Sequence, residues 1–218
     1  MGNVVGKYYK KDYWIEENLA FAKPHFRLHK CARIVNSLSR GKNCDLLDLG
    51  CGPGTLAELL PKNINYYGID IAIHSPSPNL LEMDLLANTI KFGDKNFDFI
   101  VAMGLFEYMG NLQSQKFFEI NQILKDSGKF IMTYSNIQHR DWQSDQPWNN
   151  VQTIDMLKKD LAVIFHVDKL FASSHNRRCH ASTRIMIRKI QMNINTYIPF
   201  ISPLMAIEYF IICSKKSK

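Results

Sequence analysis

The sequence predicts an α/β fold in which helices lie on both faces of a mostly parallel sheet. Short apolar runs alternate along the chain with segments of helical periodicity, which is the pattern of successive βαβ units. Residues 97–103 are apolar apart from Asp98, as expected for a central parallel strand that is buried on both faces. Three glycines at alternate positions, Gly50, Gly52 and Gly54, follow the first apolar run and indicate a tight turn after the first strand.

The predicted elements begin with a helix over residues 27–39. Its apolar residues are spaced three and four apart, Leu38 is the last of them, and Gly41 follows its end. The predicted strands are 45–49, 66–70, 80–84, 97–103, 129–134, 162–173 and 207–214. Further helices are predicted to begin at residue 55 and to cover 113–124, 154–161 and 183–194. Residues 126–128 read as the turn before the fifth strand.

The length of 218 residues favours a single domain that carries insertions. We expect an N-terminal helical cap over residues 1–40, a cofactor-binding core over 41–174 and an insertion over 175–206 before the last strand. The polar stretch at 137–150 is longer than most loops in compact domains, which indicates a functional or mobile segment.

The composition indicates which kinds of partner and which cellular compartment are expected. The net charge is +7, but lysines and arginines are spread along the chain and form no nucleic-acid-binding pattern. We therefore predict no nucleic-acid partner, and RNA binding through the diffuse charge is the alternative. The five cysteines are scattered without a CxxC pair, so neither a disulfide framework nor a metal site is predicted. A reducing cytoplasm is the expected compartment.

One apolar segment, residues 194–213, has about the length of a membrane span. Pro199, Pro203 and Glu208 interrupt it, which favours a loop followed by a strand. A loop at 197–206 that contacts lipid is the alternative.

The segment LLDLGCGPGTLAELL, residues 46–60, reads as a strand, a glycine turn and the start of a helix. Its spacing, with Asp48 before the first glycine, differs from the GxGxxG pattern of dinucleotide-binding proteins. Asp70 ends the next apolar segment twenty residues after Gly50, where a carboxylate can bind ribose hydroxyls. A structural glycine turn in some other α/β protein is the alternative.

These residues resemble motif I and the ribose-binding acid of class I S-adenosylmethionine-dependent methyltransferases of the small-molecule type. The resemblance extends from about Arg27 to the C-terminus. It implies a Rossmann-like, three-layer fold whose seven-stranded sheet has an antiparallel last strand. It also implies an enzyme that uses S-adenosylmethionine as its cofactor. A sugar or natural-product intermediate is the leading acceptor, because no nucleic-acid-binding or protein-binding module is appended.

The resemblance assigns cofactor contacts to residues near the ends of the first four strands. Asp48 would order the glycine turn or meet the cofactor amino group. Asp70 would bind both ribose hydroxyls, and Asp84 would receive the adenine amino group. The full predicted set is Asp48, Gly50, Cys51, Gly52, Gly54 and Met103 around the methionine part, Asp70 at the ribose, and Ile71, Met83, Asp84 and Leu85 around the adenine.

Methyl transfer from a sulfonium requires a base only when the acceptor holds its proton tightly. The predicted catalytic residues are His139, Tyr108 and Tyr134, and His175 and His180 are further candidates. Many relatives carry Leu-Glu-His after the fourth strand, whereas this chain has Phe106-Glu107-Tyr108. A histidine base is therefore absent at that position. For each candidate, a loop, surface or packing role is the alternative.

Several alternatives stay open at the level of the sequence. The aromatic residues Tyr8, Tyr9, Tyr13 and Trp14 resemble the lid of small-molecule methyltransferases, or they pack as an ordinary amphipathic cover. Arg27 pairs with the cofactor carboxylate or is simply exposed. The rival functions are methylation of a lipid or isoprenoid through the 197–206 region and a non-catalytic, cofactor-binding partner subunit.

Overall fold

The computed structural model describes residues 26–73, 77–137, 151–175 and 206–216. The predictions for His139, His180, the aromatic residues between 8 and 14, the helix at 183–194 and most of the 175–206 insertion lie outside these residues. His175 is the last residue of a strand, but its side chain is also outside the description.

Seven strands form one sheet with the order β3-β2-β1-β4-β5-β7-β6. Their bounds are β1 Cys44–Leu49, β2 Ile64–Asp70, β3 Leu80–Glu82, β4 Phe97–Met103, β5 Leu124–Ser135, β6 Phe165–His175 and β7 Ala206–Lys215. All neighbouring pairs are parallel except β5–β7 and β6–β7, so β7 runs antiparallel to the rest. The order reverses between β1 and β4, and ligands of such sheets bind at the carboxyl ends of the strands beside this switch.

Three described α-helices cover the two faces of the sheet. They are α1 Phe26–Ser39, α2 Gln113–Ile123 and α3 Ile154–Ile164. On one face α1 buries Cys31 and Val35 in a core that includes strand residues of β1, β4 and β7. On the other face α2 and α3 bury Phe117 and Leu157. The predicted three-layer α/β architecture is confirmed. Within the described ranges, none of the helices has both the length and the apolar character needed to cross a membrane.

The predicted helix after the glycine turn is wrong. Only a short 3-10 helix forms there, at Ala57–Leu59, and Leu60 is extended with φ −80° and ψ 145°. Leu60 precedes Pro61, whose ring disfavours the helical conformation of the residue before it. The segment between Gly54 and Pro61 is also short, and so few helical hydrogen bonds do not offset the unfavourable free energy of helix nucleation.

Smaller differences have local causes. β5 begins at Leu124 because residues 126–128, predicted as a turn, lie within an irregularity in its pairing with β4. α3 continues to Ile164, so β6 starts at Phe165 instead of residue 162. β3 stops at Glu82, two residues before the predicted end. Leu38 was predicted to lie on the buried stripe of the first helix, but 39% of its surface is exposed.

Gly68 in β2 occupies a position with no room for a side chain. A Cβ there would lie 2.7 Å from Cys51 Sγ and 2.8 Å from Leu80 Cδ2. We expect Gly68→Ala to lower the free energy of unfolding by about 1–3 kcal/mol, because the neighbours must move to relieve the overlap. Urea denaturation measures this. Gly93→Ala is the comparison for backbone cost without overlap, since a Cβ at Gly93 meets nothing within 4 Å and its positive φ of 58° alone costs about 1–2 kcal/mol. A Gly68→Ala protein as stable as wild type would contradict the expectation.

Candidate functional site

The glycine turn after β1 lies against the end of β2. The N–H groups of Gly50 and Cys51 donate to the Ile69 carbonyl oxygen at 2.8 and 3.1 Å. Gly50, Gly52 and Gly54 have φ values of 71°, 54° and 78°, a conformation that favours glycine. The turn therefore places bare backbone at the switch point of the sheet.

Asp70 ties the glycine turn to the ends of β2 and β3. Its side chain is buried, and one carboxylate oxygen accepts from the Gly52 N–H at 2.8 Å. The other oxygen accepts from the Ala72 N–H at 3.2 Å, and the Asp70 carbonyl accepts from the Met83 N–H at 2.8 Å. A carboxylate has about four acceptor positions and can accept hydroxyl groups as well as backbone N–H groups. The geometry suits the predicted ribose contact, which stays a prediction.

Asp48 is buried beneath the same turn. Its carboxylate accepts a hydrogen bond from the Tyr66 hydroxyl at 2.9 Å. Burial raises the pKa of Asp48 to about 7; the Tyr66 bond opposes this rise, and the charge of Asp70 adds to it. Cys51 is buried beside it, and burial also raises the pKa of its thiol, which makes Cys51 a packing residue rather than a nucleophile.

The predicted adenine-binding residues follow β2 and β3. Ile71, Met83 and Asp84 are half-buried, and the Asp84 carboxylate accepts from the Leu86 N–H at 2.8 Å. Leu85 is 6% exposed and its side chain belongs to the core beneath α2 and α3. Its side chain therefore offers little surface to a base, while the roles of the other three stay predictions.

The predicted methionine end lies where β4 finishes. Met103 is half-buried, and Gly104 follows with a φ of 77°. A Cβ at Gly104 would overlap the Arg27 guanidinium, so α1 places a cation directly over this turn. Arg27 also pairs with Glu208 at 3.4 Å. Arg27 is thus half-buried beside this turn, and its pairing with the cofactor carboxylate stays a prediction.

Glu107 is a site residue to which the sequence assigned no role. It is 2% exposed, and one carboxylate oxygen accepts from the Ser135 N–H at 2.7 Å. The other oxygen has no hydrogen-bond partner among the residues described. Burial raises the pKa of Glu107, although the Ser135 bond opposes it. An acid just beyond a buried parallel strand is the signal that could have identified it. The neighbouring Tyr108 is half-buried.

Tyr134, a predicted catalytic residue, is buried in β5. Its hydroxyl accepts from the Gln152 N–H at 2.9 Å and from the Gln113 amide at 3.3 Å. Its ring belongs to the core on the α2 and α3 face. These contacts favour a packing role for Tyr134.

Comparison with known proteins places the chain among methyltransferases. The family described as Methyltransferase domain matches residues 24–178, more than half of the chain. Cyclopropane-fatty-acyl-phospholipid synthase of Escherichia coli (strain K12) is 26% identical over 151 residues, which are 65% of this chain and 38% of that protein. The chain therefore spans well under half the length of this curated relative.

Two solved structures show the likeness in fold. The 1,6-didemethyltoxoflavin-N1-methyltransferase of Burkholderia thailandensis, with bound 1,6-didemethyltoxoflavin and S-adenosylhomocysteine, has a TM-score of 0.64 at 13% identity, covering 98% of this chain and 88% of that chain. An S-adenosylmethionine-dependent methyltransferase from Clostridium acetobutylicum has a TM-score of 0.62 at 14% identity, covering 96% and 99%. The predicted Rossmann-like sheet and the predicted methyltransferase class are confirmed. With its family match over residues 24–178, the chain belongs to the family of methyltransferase domains.

Proposed function

We propose that this methyltransferase acts on a polar small molecule, with a sugar or natural-product intermediate as the leading acceptor. The support is the composition of the sheet edge next to Gly104. There the Arg27 guanidinium pairs with Glu208, and the buried Glu107 accepts from the Ser135 N–H. Ser135 and Glu208 are themselves paired across β5 and β7, so these groups share one edge. Charged groups in this position suit hydroxyl or amino acceptors better than hydrocarbon.

S-adenosylmethionine fits the residues that the structure brings together. The three glycines of the turn have positive φ values and carry no side chains, so a ligand can approach the turn backbone closely. Asp70 ends β2, and Asp84 follows the neighbouring β3, which gives two carboxyl groups for the ribose hydroxyls and the adenine amino group. Arg27 beside Gly104 supplies a cation for the carboxylate of the methionine part.

The protein's task is alignment and the exclusion of water. When bound, S-adenosylmethionine supplies a methyl group that is already activated on a sulfonium. Asp70 and the glycine turn orient the nucleoside, and Arg27 holds the amino-acid end. Glu107 is the proposed proton acceptor for a hydroxyl or amine, because its second carboxylate oxygen has no hydrogen-bond partner within the described part of the chain. His139 and Tyr108 stay predictions for the same step.

A lipid acceptor is the second candidate function. It is favoured by the similarity to cyclopropane-fatty-acyl-phospholipid synthase, which is 26% identical over 151 residues. Flotation with anionic liposomes distinguishes the two functions. An enzyme for polar acceptors stays at the bottom of the gradient, whereas an enzyme for lipid acceptors rises with the vesicles.

A methyl-transfer screen tests the proposal directly. The protein is incubated with S-adenosylmethionine carrying a labelled methyl group and with panels of sugars, amines, phenols and phospholipids. We expect label in a polar acceptor, and Glu107→Gln should lower turnover without changing affinity for S-adenosylhomocysteine. Asp70→Ala is the inactive control. Label found only in phospholipid would replace the proposed function with the lipid candidate.

A further inference from the structure

A buried ion pair on α2 contacts the loop that follows β3. Lys116 and Glu119 are 2% and 5% exposed, and their closest charged atoms are 2.8 Å apart. Burial alone would raise the pKa of Glu119, but the hydrogen bonds from Lys116, the Ile90 N–H and Gln115 lower it, so the Glu119 carboxylate is ionised. Because taking two charges out of water is costly, a buried pair is weak evidence for stability and calls for another explanation.

The pair holds the loop backbone on both sides of residue 89. Lys116 Nζ donates to the Asn88 carbonyl oxygen at 2.7 Å. The Ile90 N–H donates to the Glu119 carboxylate at 2.9 Å. Both ends of the ion pair are thus bonded to main-chain atoms, so the position of the loop is set by α2.

The same loop carries Asp84. The Asp84 carbonyl oxygen accepts from the Asn88 N–H at 3.0 Å and from the Asn88 side-chain amide at 2.9 Å. The Asp84 carboxylate is oriented by the Leu86 N–H at 2.8 Å. A continuous series of hydrogen bonds therefore runs from Lys116 through Asn88 to Asp84, and a shift at Asn88 changes where the Asp84 carboxylate lies.

We propose that Lys116 and Glu119 are positioning residues that fix the loop at 84–90 and thereby set selectivity for the amino group of adenine. The inference rests on the proposed function through the assignment of Asp84 to that amino group. Asp84 contacts the base, and the ion pair acts only through the loop. The ion pair therefore affects which base the site prefers more than it affects the overall affinity for the ligand.

The test compares two ligands by calorimetry: S-adenosylhomocysteine and S-inosylhomocysteine, which carries an oxygen in place of the amino group. The main variant is the double replacement Lys116→Met with Glu119→Leu, which removes both charges together and so leaves neither one buried without its partner. The single variant Lys116→Arg keeps the charge. Lys129→Met is the matched control, since Lys129 makes a 2.7 Å ion pair with Asp168 away from this loop.

We expect the wild type to prefer the adenosyl ligand at least tenfold, since a site built around a hydrogen-bonding group rejects the analogue that lacks it. The double variant should lose most of this preference, and its melting temperature should fall because the Asn88 carbonyl and the Ile90 N–H lose their partners. Lys116→Arg and Lys129→Met should keep the preference. An unchanged preference in the double variant overturns the inference, as does a wild type that binds both ligands equally. A wild type that binds neither ligand overturns the proposed function as well.

Discussion

Asp70→Ala is expected to weaken the binding of S-adenosylhomocysteine by about two orders of magnitude or more. The carboxylate sits at the end of β2 with both oxygens oriented by backbone N–H groups. Each hydrogen bond to a charged group contributes roughly 1.5–3 kcal/mol, and 1.4 kcal/mol corresponds to a factor of ten in affinity. Two lost ribose contacts therefore exceed a hundredfold. Isothermal calorimetry measures the change.

Two controls separate the ribose contact from structural damage. Asp70→Ala leaves the N–H groups of Gly52 and Ala72 without their acceptor, whereas Asp70→Asn keeps one acceptor oxygen. Asp98→Ala removes an acid that also accepts a backbone N–H, from Asp45 at 2.8 Å, but at the amino end of β4. We expect Asp70→Asn to bind weakly and Asp98→Ala to bind like wild type. Undiminished affinity in Asp70→Ala would show that the cofactor site is assigned wrongly.

The sheet was predictable where burial dictates the residue types. β4 has its predicted bounds, because a strand covered on both faces must be almost wholly apolar. The antiparallel β7 came from the family resemblance, since hydrophobic pattern does not encode strand direction. The predicted helix at residue 55 does not form, because Pro61 disfavours the helical conformation of Leu60 and the segment before it is short.

The position of a site residue could be predicted where a carboxylate is expected at the carboxyl end of a particular strand. Asp70 lies at the carboxyl end of β2, as predicted from the second apolar segment, while its contact with ribose stays a prediction. The Lys116–Glu119 pair was not foreseen, because a lysine and a glutamate three apart on a helix read as an exposed surface pair. Only the fold brings the loop around Asn88 onto them. Contacts of this kind depend on tertiary structure and leave no local signal.

Asp48 should make the stability of the cofactor-free protein fall as pH rises. Its pKa is about 7 in the folded protein against an ordinary 3.8, so the folded state holds the proton more tightly between these values. The stabilisation from protonated Asp48 is complete below pH 3.8, and it is lost as the pH rises toward about 7. Between pH 5 and 8 the loss is roughly 2–3 kcal/mol. Asp48→Asn keeps an acceptor for the Tyr66 hydroxyl and should lack this loss in urea denaturation.

The same titration decides between the two predicted roles of Asp48. If the carboxylate meets the cofactor amino group, the cation favours the ionised form, and binding near pH 7 releases a proton. Calorimetry of S-adenosylhomocysteine binding in two buffers with different heats of ionisation then detects proton release in the wild type and less in Asp48→Asn. If Asp48 only orders the turn through Tyr66, the two proteins release protons equally. Affinity that rises with pH in the wild type and stays level in Asp48→Asn would support the direct contact, because only an ionised Asp48 can pair with the amino group.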